Sequence, residues 1–415
     1  MIRINSIQNT QNQTLSLEIP SHLDQIIDGT GLVIMPGLID PHVHFRIPGQ
    51  PHKEDWITAS RAALSAGYTT VIDMPNNIPA CVSLERLNQK TALINQQLAQ
   101  ANSPLKYYLY LGADRKNFDQ ISLIKNYFKN SNQTNHIIGI KVFMGASTGD
   151  LLMEDESSLH AIFALAKFHG FLIAVHAEDN SVIHACSQNY LHTQNFSDHS
   201  RIRSREAAIK SVKLALSLSK QYGVRLYILH VSTKEELIFI EQAKNDGVDV
   251  FAEVCPHHLF LNISVYESLK GLAKMNPPLR NPEDQEALLA GIKSGLIDTL
   301  GSDHAPHTLE EKSQDYPHCP AGVPGIETSL PLLLNAVNQN QLSLKDVENI
   351  TVHGPRRLFN LPKNNDWVLI DMAKTKPVLN QFLQTKCAWS SFAGTILTGY
   401  PVLTICEGYV FPSSD

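Results

Sequence analysis

Short apolar runs rich in β-branched residues alternate with longer amphipathic or Ala/Leu-rich segments along most of this chain, and the alternation repeats around it. The runs are Val33 to Phe45, Thr69 to Met74, Tyr107 to Leu111, Ile137 to Met144, Phe171 to Ala177, Arg225 to Val231, Val248 to Val254 and Ile297 to Ser302. Helical segments lie between them, among them Glu54 to Ala66, Leu84 to Ala99, Glu156 to Phe168, Ser204 to Gln221, Lys234 to Asn245 and Pro282 to Ser294. Eight strands, each followed by a helix, make the pattern of an α/β fold of the (β/α)8 TIM-barrel type. A doubly wound open sheet is the competitor, but no Gly-x-Gly-x-x-Gly follows the first strand. The ends read differently. Residues 1–35 and 362–415 carry short β-like runs such as Trp367 to Ile370 and Tyr400 to Ile405 between Pro, Gly and Asn. They predict a small flanking β subdomain built from both ends, with the barrel over 36–361.

A chain of 415 residues is long enough for one large domain plus an accessory one, and 43% apolar with 18% charged residues is ordinary for a globular protein. The net charge of -6 shows no basic excess, which argues against a nucleic-acid partner. No apolar leader opens the sequence and no run nears the roughly 18 residues a membrane span needs, so the expectation is a cytoplasmic chain without a membrane partner. Six cysteines at unpaired spacings suggest reduced thiols.

Function is written at the ends of the predicted strands, where this fold places its catalytic groups. The first ends in His42-Val43-His44-Phe45-Arg46; side chains at alternate positions share one face, so two imidazoles and a guanidinium converge. A lone His-x-His is more often a pair of buried strand histidines, but Arg46 beside it needs an anionic partner if it points inward. Lys141 is embedded in the apolar run Ile137 to Met144. Either it lies on an edge and reaches solvent, or it is neutral, paired or chemically modified; a neutral amine can take up carbon dioxide as a carbamate able to bridge two metal ions. Single histidines, His176 and His230, end the fifth and sixth runs, and Asp303 follows the eighth. Four imidazoles, a lysine and a carboxylate suit zinc in an open, catalytic arrangement. His257 and His258 read as packing residues, His52, His184, His192, His199 and His318 as surface or loop residues, and Asp73 and Glu178 as groups that orient their neighbours. The charged stretch Thr308 to Pro320 is expected to be a mobile loop near the site.

With these positions in order, the sequence resembles the amidohydrolase superfamily and, among its cyclic-amide hydrolases, the dihydroorotase family. The motifs that carry the resemblance are DPHVHFRIPG, MPNN, GIKVFMGASTG, VHAED, LHVST, NPPLR, GSDHAPH and AGVPGIET, spread from about Met35 to about Leu361. It implies two zinc ions, one held by His42, His44 and Asp303 and the other by His176 and His230, bridged by N6-carboxylated Lys141 and a hydroxide. Asp303 would be the catalytic base and acid. Arg46, Asn76 and His307 would surround a free carboxylate on the substrate, with Asn276 and the backbone near Ala305 and Gly322 close to its ring. The activity implied is the reversible cyclisation of N-carbamoyl-L-aspartate to L-dihydroorotate in pyrimidine synthesis. Hydantoinases and allantoinases, the alternative, share the metal pattern but differ at the position of Arg46, and a silent homologue would have lost ligands that are all present here. Dimers are common among the proteins it resembles, so a homodimer is the partner the resemblance suggests.

Overall fold

The computed structural model of the chain describes residues 1–130, 136–145 and 151–414; positions 146–149 of the motif that begins at Gly139 lie outside them. Eight parallel strands follow one another around a near-closed sheet: β1 (Leu38–Val43), β2 (Tyr68–Asp73), β3 (Lys106–Gly112), β4 (Ile137–Phe143), β5 (Ile173–His176), β6 (Leu226–Ile228), β7 (Val250–Val254) and β8 (Thr299–Leu300). The seam between β8 and β1 closes through a parallel bridge from Val43 to His304. A buried carboxylate reinforces it: Asp40 Oδ1 accepts the amides of Ser302 at 3.0 Å and His42 at 3.1 Å.

Helices follow the strands because each segment presents an apolar stripe and a start signal. Asp55, Ser83 and Asp155 cap Trp56–Ser65, Leu84–Gln100 and Glu156–His169 with their side chains, and Thr233 with Glu236 forms a capping box on Lys234–Asn245. The strands' outward side chains pack on these helices in one large core. Their inward side chains, including Ile72, Tyr110, Tyr227 and Phe251, meet Leu358 and Phe359 and fill the barrel.

The run expected as one strand from Val33 to Phe45 is two strands. Val33–Pro36 pairs antiparallel with Trp367–Pro377 in a second sheet, and the chain crosses into β1 at Gly37. Only glycine fits at the crossing, where a Cβ would stand 2.5 Å from Thr69 Oγ1. The second sheet has seven strands drawn from both ends of the chain, with its own core of Ile2, Ile4, Ile19, Ile34, Leu369 and Ile405.

One expectation changes. His199 is buried, not a surface residue, and its Nε2 donates to Asn276 Oδ1 at 2.9 Å. Within the stretch Thr308 to Pro320, Leu309–Lys312 is a helical turn closed by a Thr308/Glu311 capping box. Lys312, buried beneath it, donates to the carbonyls of Lys274, Pro320 and Gly322 at 3.0, 2.8 and 2.8 Å.

Candidate active site

At the C-terminal mouth of the barrel, β1 and the end of β8 bring His42, His44 and Asp303 together with ligand atoms within 4.8 Å of one another. Nε2 of His42 and of His44 lie 3.2 and 3.1 Å from Asp303 Oδ1. The other nitrogen of each ring is already committed, His42 Nδ1 donating to Glu253 Oε1 and His44 Nδ1 to Asn76 Oδ1, both at 2.8 Å. That division leaves one ring nitrogen of each histidine aimed at the shared space, the arrangement a metal ligand requires. Burial pushes the Asp303 carboxyl up, but the imidazoles of His42 and His44 outweigh it and hold the group well below the usual carboxylate range.

On the other side, His176 Nδ1 and His230 Nε2 face each other at 3.0 Å, while His176 Nε2 donates to Glu178 Oε2 at 2.9 Å. Glu178 is in turn paired with Arg203. The two halves are adjacent, the rings of His42 and His230 standing 5.5 Å apart. Lys141 comes from β4, is 1% exposed, and has no carboxylate within ion-pair distance among the described residues; burial lowers its pKa to about 7. Four imidazoles, three of them (His42, His44 and His176) held by a hydrogen bond at one ring nitrogen, with a carboxylate anion and a buried amine, form a donor set that fits divalent metal ions. A further group, Cys255, His257 and His258, lies at the end of β7; His258 Nε2 donates to Pro277 O at 3.0 Å, as a packing residue would.

Beside this cluster, a cleft is lined by His44, Arg46, Asn76, Asn276, Asp303, Ala305, Ala321 and Gly322. All the sequence-derived substrate groups reach it except His307, which stands behind Arg46, its Nε2 3.3 Å from Arg46 Nη2. Arg46 is 3% exposed, donates from Nε to Pro306 O at 3.1 Å, and has no carboxylate within ion-pair distance among the described residues. Arg46, His230 and Asp303 hold positive φ angles of 63°, 39° and 45°, a strained backbone that turns each side chain at a strand end into the site.

Sequence reasoning missed the groups that hold this arrangement. Glu253 on β7 accepts from His42 Nδ1, from the His230 amide at 3.0 Å and from the Tyr227 hydroxyl at 2.5 Å, so one carboxylate orients a residue from each half. A carboxylate inside the apolar run Val250–Val254 was the available signal. Lys53, 3.1 Å from His307 Nδ1 and 3.0 Å from Glu311 Oε1, gave none. Asp73 and Glu178 orient neighbours as expected, Asp73 by accepting the Phe45 amide and pairing with Lys90.

The Amidohydrolase family profile matches residues 33–365 of this chain. Dihydroorotases of Methanosarcina acetivorans and Bacillus licheniformis are each 32% identical to it over 95% of its length, covering 85% and 90% of theirs. The chain belongs to the amidohydrolase family, in its dihydroorotase branch. Among solved structures, this amidohydrolase is similar to the L-hydantoinase of Arthrobacter aurescens, with a TM-score of 0.90 at 26% identity over 100% of this chain and 96% of that one. The family fold and its dihydroorotase sequences therefore coincide in one chain, and its chemistry is hydrolysis of cyclic amides.

Proposed function

We propose that this protein closes N-carbamoyl-L-aspartate into L-dihydroorotate and reopens it, with two zinc ions bridged by N6-carboxylated Lys141. The observation that carries the substrate choice is Arg46, a buried guanidinium on the cleft wall with no carboxylate partner among the described residues. A buried cation without an anion is costly, and a substrate carboxylate is the partner that removes the cost with paired charge-assisted hydrogen bonds. Hydantoin and allantoin rings bring no such carboxylate.

Divalent ions held by His42, His44, Asp303, His176, His230 and Lys141 would supply Lewis-acid polarisation of the ring carbonyl and a water made acidic enough to attack. The chain's own part is positioning and proton transfer. Arg46 grips the carboxylate, while Asn276 and the Ala321–Gly322 backbone border the ring's side of the cleft. Asp303, held anionic by its imidazole neighbours, accepts the proton of the attacking water at the oxygen they do not engage. It then passes that proton to the departing ring nitrogen, and the synthetic direction runs the same transfers backwards. On this reading the protein serves pyrimidine synthesis in the cytoplasm.

The test is turnover of L-dihydroorotate and N-carbamoyl-L-aspartate beside hydantoin and allantoin. Turnover confined to the first pair is expected, and Arg46→Gln should raise KM for L-dihydroorotate by roughly 30- to 150-fold, the equivalent of about 2–3 kcal/mol for a lost charged hydrogen bond. Turnover of the neutral rings alone would overturn the assignment.

A further inference from the structure

We propose that Lys53 fixes the tautomer of His307 and so leaves the Arg46 guanidinium available to the substrate's carboxylate. The inference deepens the carboxylate reading of the cleft and rests on it. Lys53 touches no substrate; it is a positioning residue.

Four groups contact the His307 ring. At Nδ1 are Lys53 Nζ at 3.1 Å and Glu311 Oε2 at 3.3 Å; at Nε2 are the Ala321 carbonyl at 3.1 Å and Arg46 Nη2 at 3.3 Å. An ammonium and a guanidinium only donate, and a carboxylate and a carbonyl only accept. A neutral ring therefore has two self-consistent arrangements. With its proton on Nε2, Lys53 donates to Nδ1 and Nε2–H donates to Ala321. With its proton on Nδ1, the ring donates to Glu311 and accepts from Arg46. Burial, with Arg46, Lys53 and Lys312 close by, keeps the ring uncharged.

The shorter contact at each nitrogen belongs to the first arrangement. Glu311 is also engaged elsewhere, at 3.0 Å from Lys53 Nζ and by the Thr308 amide at 3.1 Å. With the proton on Nε2, His307 offers Arg46 no acceptor. The guanidinium keeps Nε on Pro306 and turns its terminal N–H groups to the cleft. If Lys53 loses its amine, nothing donates to Nδ1. The proton moves to that nitrogen, toward Glu311, and Nε2 becomes an acceptor for Arg46. An incoming carboxylate must then displace that hydrogen bond. The binding of substrate weakens, while the groups that carry the reaction are untouched.

The tautomer can be read from long-range ¹H–¹⁵N correlation spectra of histidine-labelled, metal-loaded protein, with His307→Gln assigning the ring. The parent should show the Nε2–H pattern and Lys53→Met the Nδ1–H pattern. KM for L-dihydroorotate should rise about tenfold in Lys53→Met with kcat within about threefold, one charge-assisted hydrogen bond's worth of binding. Lys53→Arg, which restores a donor, should restore both readouts. Glu311→Gln, which removes the competing acceptor, should leave His307 on Nε2–H and KM within about threefold. An unchanged tautomer in Lys53→Met, an unchanged KM, a loss confined to kcat, or an Nδ1–H ring in Glu311→Gln overturns the proposal. The spectra need no substrate: the expected tautomer shift in a protein that does not turn over L-dihydroorotate would sink the substrate reading and leave the role of Lys53 standing.

Discussion

Lys141 is a buried amine surrounded by groups that suit a metal centre, and burial lowers its pKa to about 7. Carbamate formation needs the neutral amine, because the lone pair on nitrogen attacks carbon dioxide. A lowered pKa means the neutral form grows as pH rises through about 7, where an exposed lysine at about 10.4 would still be protonated. Metal-free protein should therefore take up one carbon dioxide from bicarbonate buffer, detected by intact mass, with uptake rising across that pH. Lys141→Ala should show none; uptake that begins only near pH 10 would contradict the burial argument. The residues that made this site legible in the sequence, His42, His44, His176, His230 and Asp303, are polar groups at the ends of apolar runs, where a barrel leaves them no other direction to point. Glu253 and Lys53 were not legible as parts of it. Their partners, His42 and His307, lie 211 and 254 residues away, and no local pattern reports a contact at that separation.

Between residue and fold stands the segment after Asp303, which supplies Ala305, Ala321 and Gly322 to the cleft wall. Its charge and lack of periodicity read as a loop, because the feature that shapes it is a single lysine used as an internal strut. Lys312 donates all three of its protons to carbonyls that have left regular structure. Lys312→Met keeps the stem but removes that donor: among the described residues the Gly322 carbonyl is left with none, the Pro320 carbonyl with only the Cys319 thiol at 3.6 Å, and the Lys274 carbonyl with the Gly322 amide at 2.9 Å. At about 1–3 kcal/mol for each buried group left unsatisfied, and with partial relaxation, a loss of about 3 kcal/mol is expected from the urea midpoint, together with a raised KM, since Gly322 moves with the strut. A midpoint shift with KM unchanged would show that the segment is a stabilising cover and not a shaping element. The other elements were legible to within a few residues where a helix had a cap and an apolar stripe. Gly37 was not, because a strand that leaves one sheet for another keeps its apolar pattern across the crossing.

At the scale of the whole molecule, the sheet made by both chain ends is joined to the active-site mouth. After Trp367–Pro377 the chain leaves that sheet, passes the mouth, and returns as Ile396–Cys406. Two carboxylates from the barrel hold this excursion. Glu54 accepts from the Thr385 hydroxyl and the Lys386 amide, and Glu327 from the amides of Gln384 at 2.8 Å and Thr385 at 3.0 Å. Farther along, the Trp389 indole N–H donates to the His307 carbonyl at 2.7 Å, which places the excursion one residue from the Arg46 anchor. Both carboxylates act on the same three consecutive residues, so once one is removed the segment is partly released and the second has less to hold. Glu54→Ala and Glu327→Ala should each cost about 2–3 kcal/mol by leaving backbone donors unsatisfied, and the double variant should fall short of their sum by about 1 kcal/mol or more. Denaturant unfolding of the four proteins measures that coupling. KM should rise in both single variants, because freeing the excursion frees Trp389 and with it the His307 carbonyl. Strict additivity with an unchanged KM would mean that the two contacts are independent surface tethers, and that the terminal sheet is attached to the barrel without any bearing on its site.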